Sequence, residues 1–418
     1  MGITFKVKIL GFAGSGFENR AAAALYIAAV AYGITLAMLN VLVPLYALHL
    51  GYNLKTMGAI VSSQAIFQLG MRLFGGMLSD RFGERLVLFL SFLSVLAASM
   101  MFVFVSTVAG LVGAQIFVGF SRSIYWNAAQ SYGSRVSELH SGTILARFLG
   151  YVSSGEIVGA VMAGAAAVAL GYPAAFGVCA VFCAVALATS LTMPGIPCIG
   201  ALRTMKQIMK PIPRLLTSRM LWLGIIVAFT GSAQQAMVGS TYPAFFIKEL
   251  GFSAAEFGFY RSVYSVGLVI IGFAFGAIVA RFGQKSAFAL CMLGMGVLTL
   301  VTPSAGYLVL PLAGTMMPLV VAALGGFMLV LGCAFGVSRV LYTVVAAENS
   351  IPAERGMAMA VVGLGWAAGQ LIIPVLFGYV AELVGLANSF YIAGVGMILV
   401  GLSTPLLYRW LAPPLETR

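Results

Sequence analysis

Charge is scarce in this chain. Aspartate, glutamate, lysine and arginine make up 8% of its 418 residues, where a soluble domain carries about 25%. Histidine is scarcer still, with only His49 and His140. The cysteines show no metal-ligand spacing: Cys179, Cys183, Cys291 and Cys333 lie in apolar runs and Cys198 in a loop. A zinc site is therefore not expected, and the cysteines read as small apolar side chains. The sequence also lacks a phosphate-binding glycine loop and any nucleophile with a histidine at membrane depth to activate it. That argues against ATP-driven chemistry and against an enzyme, and no cofactor or metal is expected. The formal net charge is +12, but there is no basic stripe or base-reading motif, so nucleic acid is not an expected partner. Residues 1–20 are mixed polar, and the apolar run that follows is too long for a cleavable signal.

What the chain has is apolar length. Hydrophobic residues make up 61% of it, more than a soluble fold of this size could hide. Runs long enough to cross about 30 Å of hydrocarbon lie near 21–46, 55–78, 86–106, 109–131, 144–168, 174–194, 221–246, 256–279, 286–303, 317–346, 357–380 and 388–408. The ninth run is expected to end raggedly, because Pro303, Pro311 and Pro318 follow closely. With the N-terminus placed in the cytoplasm, seventeen Lys and Arg fall on cytoplasmic segments and two, Lys55 and Lys248, on outer loops. Both termini are thus expected inside, in a multi-pass protein of the cell membrane (plasma or inner). Arg72, Arg122, Arg261 and Arg339 fall within spans. Arg72 and Arg261 are expected nearer helix ends, with Arg72 snorkelling or joining a cytoplasmic gate.

The chain repeats itself. LGYNLKTMGAI at 50–60 matches LGFSAAEFGFY at 250–260, and GMLSDRFGER at 76–85 matches GAIVARFGQK at 276–285. GFSRSIYW at 119–126 matches GVSRVLYT at 336–343. Three matches in order imply two similar bundles related by an axis along the membrane normal. The expected organisation is a cytoplasmic segment 1–20, a six-helix bundle 21–194, a basic central loop 195–220, a second six-helix bundle 221–408 and a tail 409–418. The segment Gly76 to Arg85 has Gly, three residues, Asp, a basic residue, any residue, Gly, any residue and a basic residue. It resembles the signature loop between the second and third helices of the major facilitator superfamily. The resemblance covers the whole chain through span count, central loop and duplication. It implies an all-α integral membrane fold of twelve transmembrane helices in two pseudo-symmetric six-helix bundles. It also implies secondary transport by alternating access, with Gly76, Asp80, Arg81, Gly83, Arg85 and Arg281 at a cytoplasmic gate. In the second copy Ala280 replaces the acid, so the second gate is expected to be weaker.

Ionisable groups at membrane depth cost roughly 2.5–3.5 kcal/mol on insertion scales, which makes them functional candidates. Of the acids only Glu156 lies near mid-span, and Arg122 and Arg339 are the deepest bases. Arg122 and Glu156 lie at similar depths on antiparallel spans, so a pair is feasible; it would either exchange protons or hold two helices together statically. Gly155 and Gly159 bracket Glu156 at a spacing that permits close helix packing. Family antiporters often carry Gly-Pro there, followed two residues later by Gly-Gly. Glu156 stands where the Pro would be, which departs from an antiporter pattern.

By the family fold, Arg122 and Arg339 would face each other across a central chamber, two guanidinium forks suited to carboxylate or phosphate. Tyr125 and Trp126 share Arg122's helix face, Tyr342 repeats them in the second half, and Gln115, Gln234 and Asn40 complete the expected substrate-binding set. Each of these polar or aromatic side chains could instead be packing or an interhelical hydrogen bond. Glu156 is the expected proton-coupling residue. The partners expected are a small organic solute, the bilayer and protons, in a monomer. Efflux of drugs or sugars is the alternative within the class, and a channel or membrane enzyme the alternative outside it.

Overall fold

The computed structural model describes residues 16–71, 74–136, 141–196, 212–312, 315–350 and 355–411. Arg72, His140, Cys198 and most of the central loop lie outside the described residues. Among the described residues the chain is helical throughout, with no strand. A backbone in hydrocarbon must satisfy its own polar groups, and a helix does this within each segment.

The first half comprises α1 (Gly16–His49), α2 (Leu54–Met71), α3 (Gly75–Phe82), α4 (Glu84–Phe104), α5 (Val108–Val136), α6 (Ser141–Leu170) and α7 (Tyr172–Thr192). The short α8 (Ile212–Thr217) precedes the second half. That half comprises α9 (Arg219–Val238), α10 (Thr241–Ala244) with a π-helical turn Phe245–Glu249, α11 (Ala254–Val309), α12 (Met317–Glu348), α13 (Arg355–Val384) and α14 (Leu386–Leu411). The helix α11 turns at Gly283 (φ 73°, ψ 159°), so its arms 254–282 and 284–309 are separate spans. Counting α2 with α3, and α9 with α10, gives six spans in each half. The ninth span does not stop at Pro303. It continues to Val309 and a 3-10 turn at Leu310–Leu312, because neighbouring helices can absorb a proline inside a membrane helix.

The duplication is written into the backbone. Six glycines have positive φ: Gly51, Gly83 and Gly171 in the first half, and Gly251, Gly283 and Gly385 in the second. The first two of each set fall at the same place in the matched segments, and the third ends a helix–glycine–helix turn in both halves. A side chain would be strained at each. The arginine-bearing helices also correspond, with Arg122 on α5 and Arg339 on α12.

Small residues bring helices into backbone contact. A Cβ on Gly155 would strike the Val30 carbonyl oxygen, and one on Gly159 that of Ile34, which joins α6 to α1. Gly365 meets Ile225 on α9 in the same way from α13.

The halves meet through α2 with α13 and through α6 with α11. Gly58 abuts the Pro374 carbonyl, Gly378 abuts Leu54, and Gly164 and Gly258 interlock with Ala254 and Ala160. All of these contacts lie toward the end opposite the chain termini. At that end the Lys55 backbone N–H also donates to Glu382 Oε1 at 3.0 Å, and Lys55 Nζ sits 5.5 Å from the Tyr379 ring centre. Toward the terminal end the same helices part. The helix α3 packs on α4 and α5 of its own half. Gly70, Gly150, Gly272 and Gly276 are exposed, with nothing within 4 Å of where a Cβ would stand. Among the described residues the molecule is therefore sealed at one end and open at the other.

Candidate functional site

Just inside the seal lies a cavity of about 20 Å³, room for about one water. Its wall is drawn from both halves. Asn40 of α1, Gln64 of α2, and Gln115 and Arg122 of α5 come from the first, and Gln235 of α9 and Gln370 of α13 from the second. Apolar side chains including Leu36, Val43, Val61 and Val118 fill the spaces between them. The cavity is small because the sealed end has drawn the halves together there.

Arg122 is held by its own half. One of its Nη1 hydrogens goes to Gln64 Oε1 at 2.6 Å, and Asn40 Oδ1 lies at 3.5 Å. Gln64 is buried, with its backbone against Gly119 of α5, which sets the height at which its amide meets the guanidinium. Glu156 does not pair with Arg122. Its Oε2 lies 3.7 Å from Arg339 Nη1, an ion pair that crosses between the halves. Matching depth is not enough for a pair, because the helices must also touch. Here α6 packs on α1 and α11 far more than on α5, so Glu156 faces the second half. Neither member of the bridge is sealed: the side chains of Arg339 and Glu156 retain 31% and 20% exposure.

The remaining expected residues divide. Gln115 and Asn40 line the cavity. Gln234 turns away into its own half and accepts from Thr299 Oγ1 at 2.9 Å, while its neighbour Gln235 lines the cavity instead. Tyr125 is buried under Tyr32, with ring centres 3.7 Å apart. Trp126 and Tyr342 are half-buried, Trp126 edge-on to Tyr125 and Phe148, and Tyr342 5.6 Å from Trp366. These aromatics form packed walls, and only Trp126 and Tyr342 keep exposed surface.

At the expected gate, Arg81 and Arg281 are exposed, each guanidinium beside the following phenylalanine ring at 5.5 and 5.6 Å. Arg85 donates to the Leu191 carbonyl at 2.5 Å. Gly83 is the positive-φ corner between α3 and α4. Gly76 and Asp80 belong to α3, but their side chains lie outside the described residues. Sequence reasoning missed Glu84, which is buried and accepts from Ser131 at 2.8 Å and also from Arg135. The second half repeats the contact with Gln284 donating to Glu348 at 2.5 Å. A carboxylate one residue past a glycine corner could have flagged it.

Two further residues were missed or undervalued. Gln64 belongs to a polar run in an otherwise apolar span, with Ser62 and Ser63 before it and Gln68 one turn on, which was the signal for it. Arg261 was read as lying near a helix end, yet it is buried at 9% exposure and lies within electrostatic reach of Glu156 and Arg339.

A family profile, the Major Facilitator Superfamily, matches residues 25–245 and again 224–418, one match centred on each half. The chain belongs to the major facilitator superfamily. Solved structures of other facilitators share its fold at low identity. A mutant of the nucleoside transporter NupG superposes with a TM-score of 0.78 at 14% identity, over 94% of this chain and 100% of that one. A POT family transporter in complex with a thioalcohol-conjugated peptide gives 0.77 at 12%, over 94% and 97%. A POT family transporter with 5-aminolevulinic acid gives 0.77 at 13%, over 94% and 97%. No curated protein is significantly similar in sequence to this facilitator. The twelve-span, two-bundle fold and the transporter class follow from family and fold together.

Proposed function

We propose that this facilitator is a secondary active carrier of a small organic anion, working by alternating access in the cell membrane as a monomer, with both termini in the cytoplasm. The observation that supports it most is the placing of one deep arginine from each half at the seam: Arg122 in the cavity wall and Arg339 bridged across to Glu156. Rocking the halves about such a seam would expose the same guanidinium groups to each side in turn. On the basic-loop count, the open end faces the cytoplasm.

Glu156 gives the carrier a route to proton coupling. In the structure its carboxylate pairs with Arg339. A solute carboxylate competing for that guanidinium would release Glu156 without a counter-charge, and a proton would then replace the lost cation. Anion and proton would cross together. The gate residues Gly76, Asp80, Arg81, Gly83, Arg85 and Arg281 would make and break contacts at the terminal end as it closes. The amides of Asn40, Gln64, Gln115, Gln235 and Gln370 favour a sugar as the second reading.

The test is stabilisation of purified protein by organic anions, sugars and cationic dyes, followed by uptake in proteoliposomes with and without an imposed pH gradient. Anions are expected to stabilise the protein, and Arg122→Ala and Arg339→Ala each to abolish the shift. Stabilisation by dyes or sugars alone, unchanged in both variants, would reverse the substrate assignment.

A further inference from the structure

The seam between α6 and α11 sets a register. Going from the seal toward the open end, α6 presents Gly164, Ala160 and then Glu156, while α11 presents Ala254, Gly258 and then Arg261. Gly258 interlocks with Ala160 and Gly164. One turn further on, Arg261 and Glu156 therefore leave the interlock on facing helices. Both side chains thus stand at the seam between the halves, one turn past the interlock.

Arg261 is more than nine-tenths buried. Its protein partners are neutral: Nη1 donates to Ser265 Oγ at 3.1 Å, and the guanidinium sits 4.8 Å from the Tyr264 ring centre. Among the described residues no carboxylate lies within bridging distance of it. Arg122 likewise has only amide partners. Arg122, Arg261 and Arg339 all act on one another electrostatically, and Glu156 is the acid they share. Three cations and one carboxylate leave two positive charges unmatched in a site where unmatched charge is costly. The duplication does not require the third cation, since the position matching Arg261 in the first half is Val61. A bound anion would offset that cost.

We propose that Arg261 is a third anion-binding group of the chamber and that the solute is a small dicarboxylate. This rests on the anion-carrier reading. The solute would carry one carboxylate to Arg122 on the first half and the other to Arg261 and Arg339 on the second. Two charged groups suit the division of the arginines between the halves better than one compact group does. With Glu156 protonated on binding, a dianion lowers the unmatched charge from two to one and ties the halves together at the seam.

The experiment is thermal stabilisation of the full chain in detergent by dicarboxylates from malonate to adipate, by butyrate as the single-charge match to succinate, and by inorganic phosphate. At least one dicarboxylate is expected to stabilise the wild type at about tenfold lower concentration than butyrate. Arg261→Met is expected to remove that preference while butyrate still binds, and Arg261→Lys to restore part of it. Ligand-free Arg261→Met is expected to melt higher than wild type, because an unmatched buried charge has gone. A structural pin would give the opposite result, a lower melting temperature with the preference intact, and that overturns the proposal. Equal binding of butyrate and every dicarboxylate, with both lost in Arg122→Ala and Arg339→Ala, overturns the dicarboxylate and leaves the anion carrier standing. No stabilisation by any anion overturns both. Phosphate binding more tightly than every dicarboxylate overturns the assignment of class.

Discussion

The two halves hold equivalent arginines in different ways. In the first, Gln64 of α2 accepts from Arg122 at 2.6 Å, so that guanidinium is anchored within its own bundle. In the second, Tyr264 stands at the matched position, stacked on Phe335 with its hydroxyl unbonded. Arg339 has no in-bundle amide there and reaches across the seam to Glu156. The acid's own counterpart in the second half is Gln370, which donates to the Ser232 carbonyl at 2.9 Å. A duplicated scaffold has thus diverged into a fixed half, with an arginine anchored by neutral amides, and a responsive half, whose arginine depends on a partner in the other bundle. Transport needs such asymmetry, because a bridge between two moving bodies is what a solute can break.

The largest effects should come from removing the arginines themselves. Arg122→Ala and Arg339→Ala are each expected to lower anion uptake in proteoliposomes by about 100-fold, since each takes a guanidinium from the seam that the solute is proposed to bind. Next comes Glu156→Gln. It removes the bridge and the protonatable group together, so uptake driven by a pH gradient is expected to fall to background while solute exchange continues. If gradient-driven uptake survives, the responsive half is not where coupling resides.

Packing at the first-half interface gives a middle-sized effect. Gly155→Leu should cost about 1–3 kcal/mol of stability, measured as a lower melting temperature, because its side chain meets the Val30 carbonyl. Gly272→Leu, where nothing lies within 4 Å, should melt as wild type. The smallest effect tests the comparison most finely. Gln64→Leu takes the fixed arginine's acceptor and should weaken solute affinity by about 1 kcal/mol, roughly fivefold. The same substitution at Tyr264 has no amide to remove. If Gln64→Leu instead abolishes binding, Arg122 is not merely anchored by its half.

The architecture was legible in the sequence because it rests on properties that survive without partners. Apolar length marked the spans to within a few residues, and the matched segments marked the duplication. Pro303 misled because proline's helix-breaking cost is a rule for water, and neighbouring helices change it in lipid. The depth of Arg122, Arg339 and Glu156 could be counted along each helix, but azimuth and adjacency could not. That is why Glu156 was matched to the right depth and the wrong arginine, and why Gln234 was chosen over Gln235. Arg261 was undervalued for a related reason. Counted along its own helix it lies near an end, and only the interlock of Gly258 with Ala160 shows that this stretch packs against the helix of Glu156 at the seam.

The account turns on one exchange: a solute anion takes Arg339 from Glu156, and a proton replaces the lost partner. Infrared difference spectroscopy of the purified carrier, recorded on adding a stabilising anion, reads that exchange directly. A protonated-carboxyl band should appear on binding and be missing in Glu156→Gln. An anion that binds with no such band, or with a band that persists in the variant, would show that Glu156 keeps its bridge throughout and that the coupling proposed here does not occur.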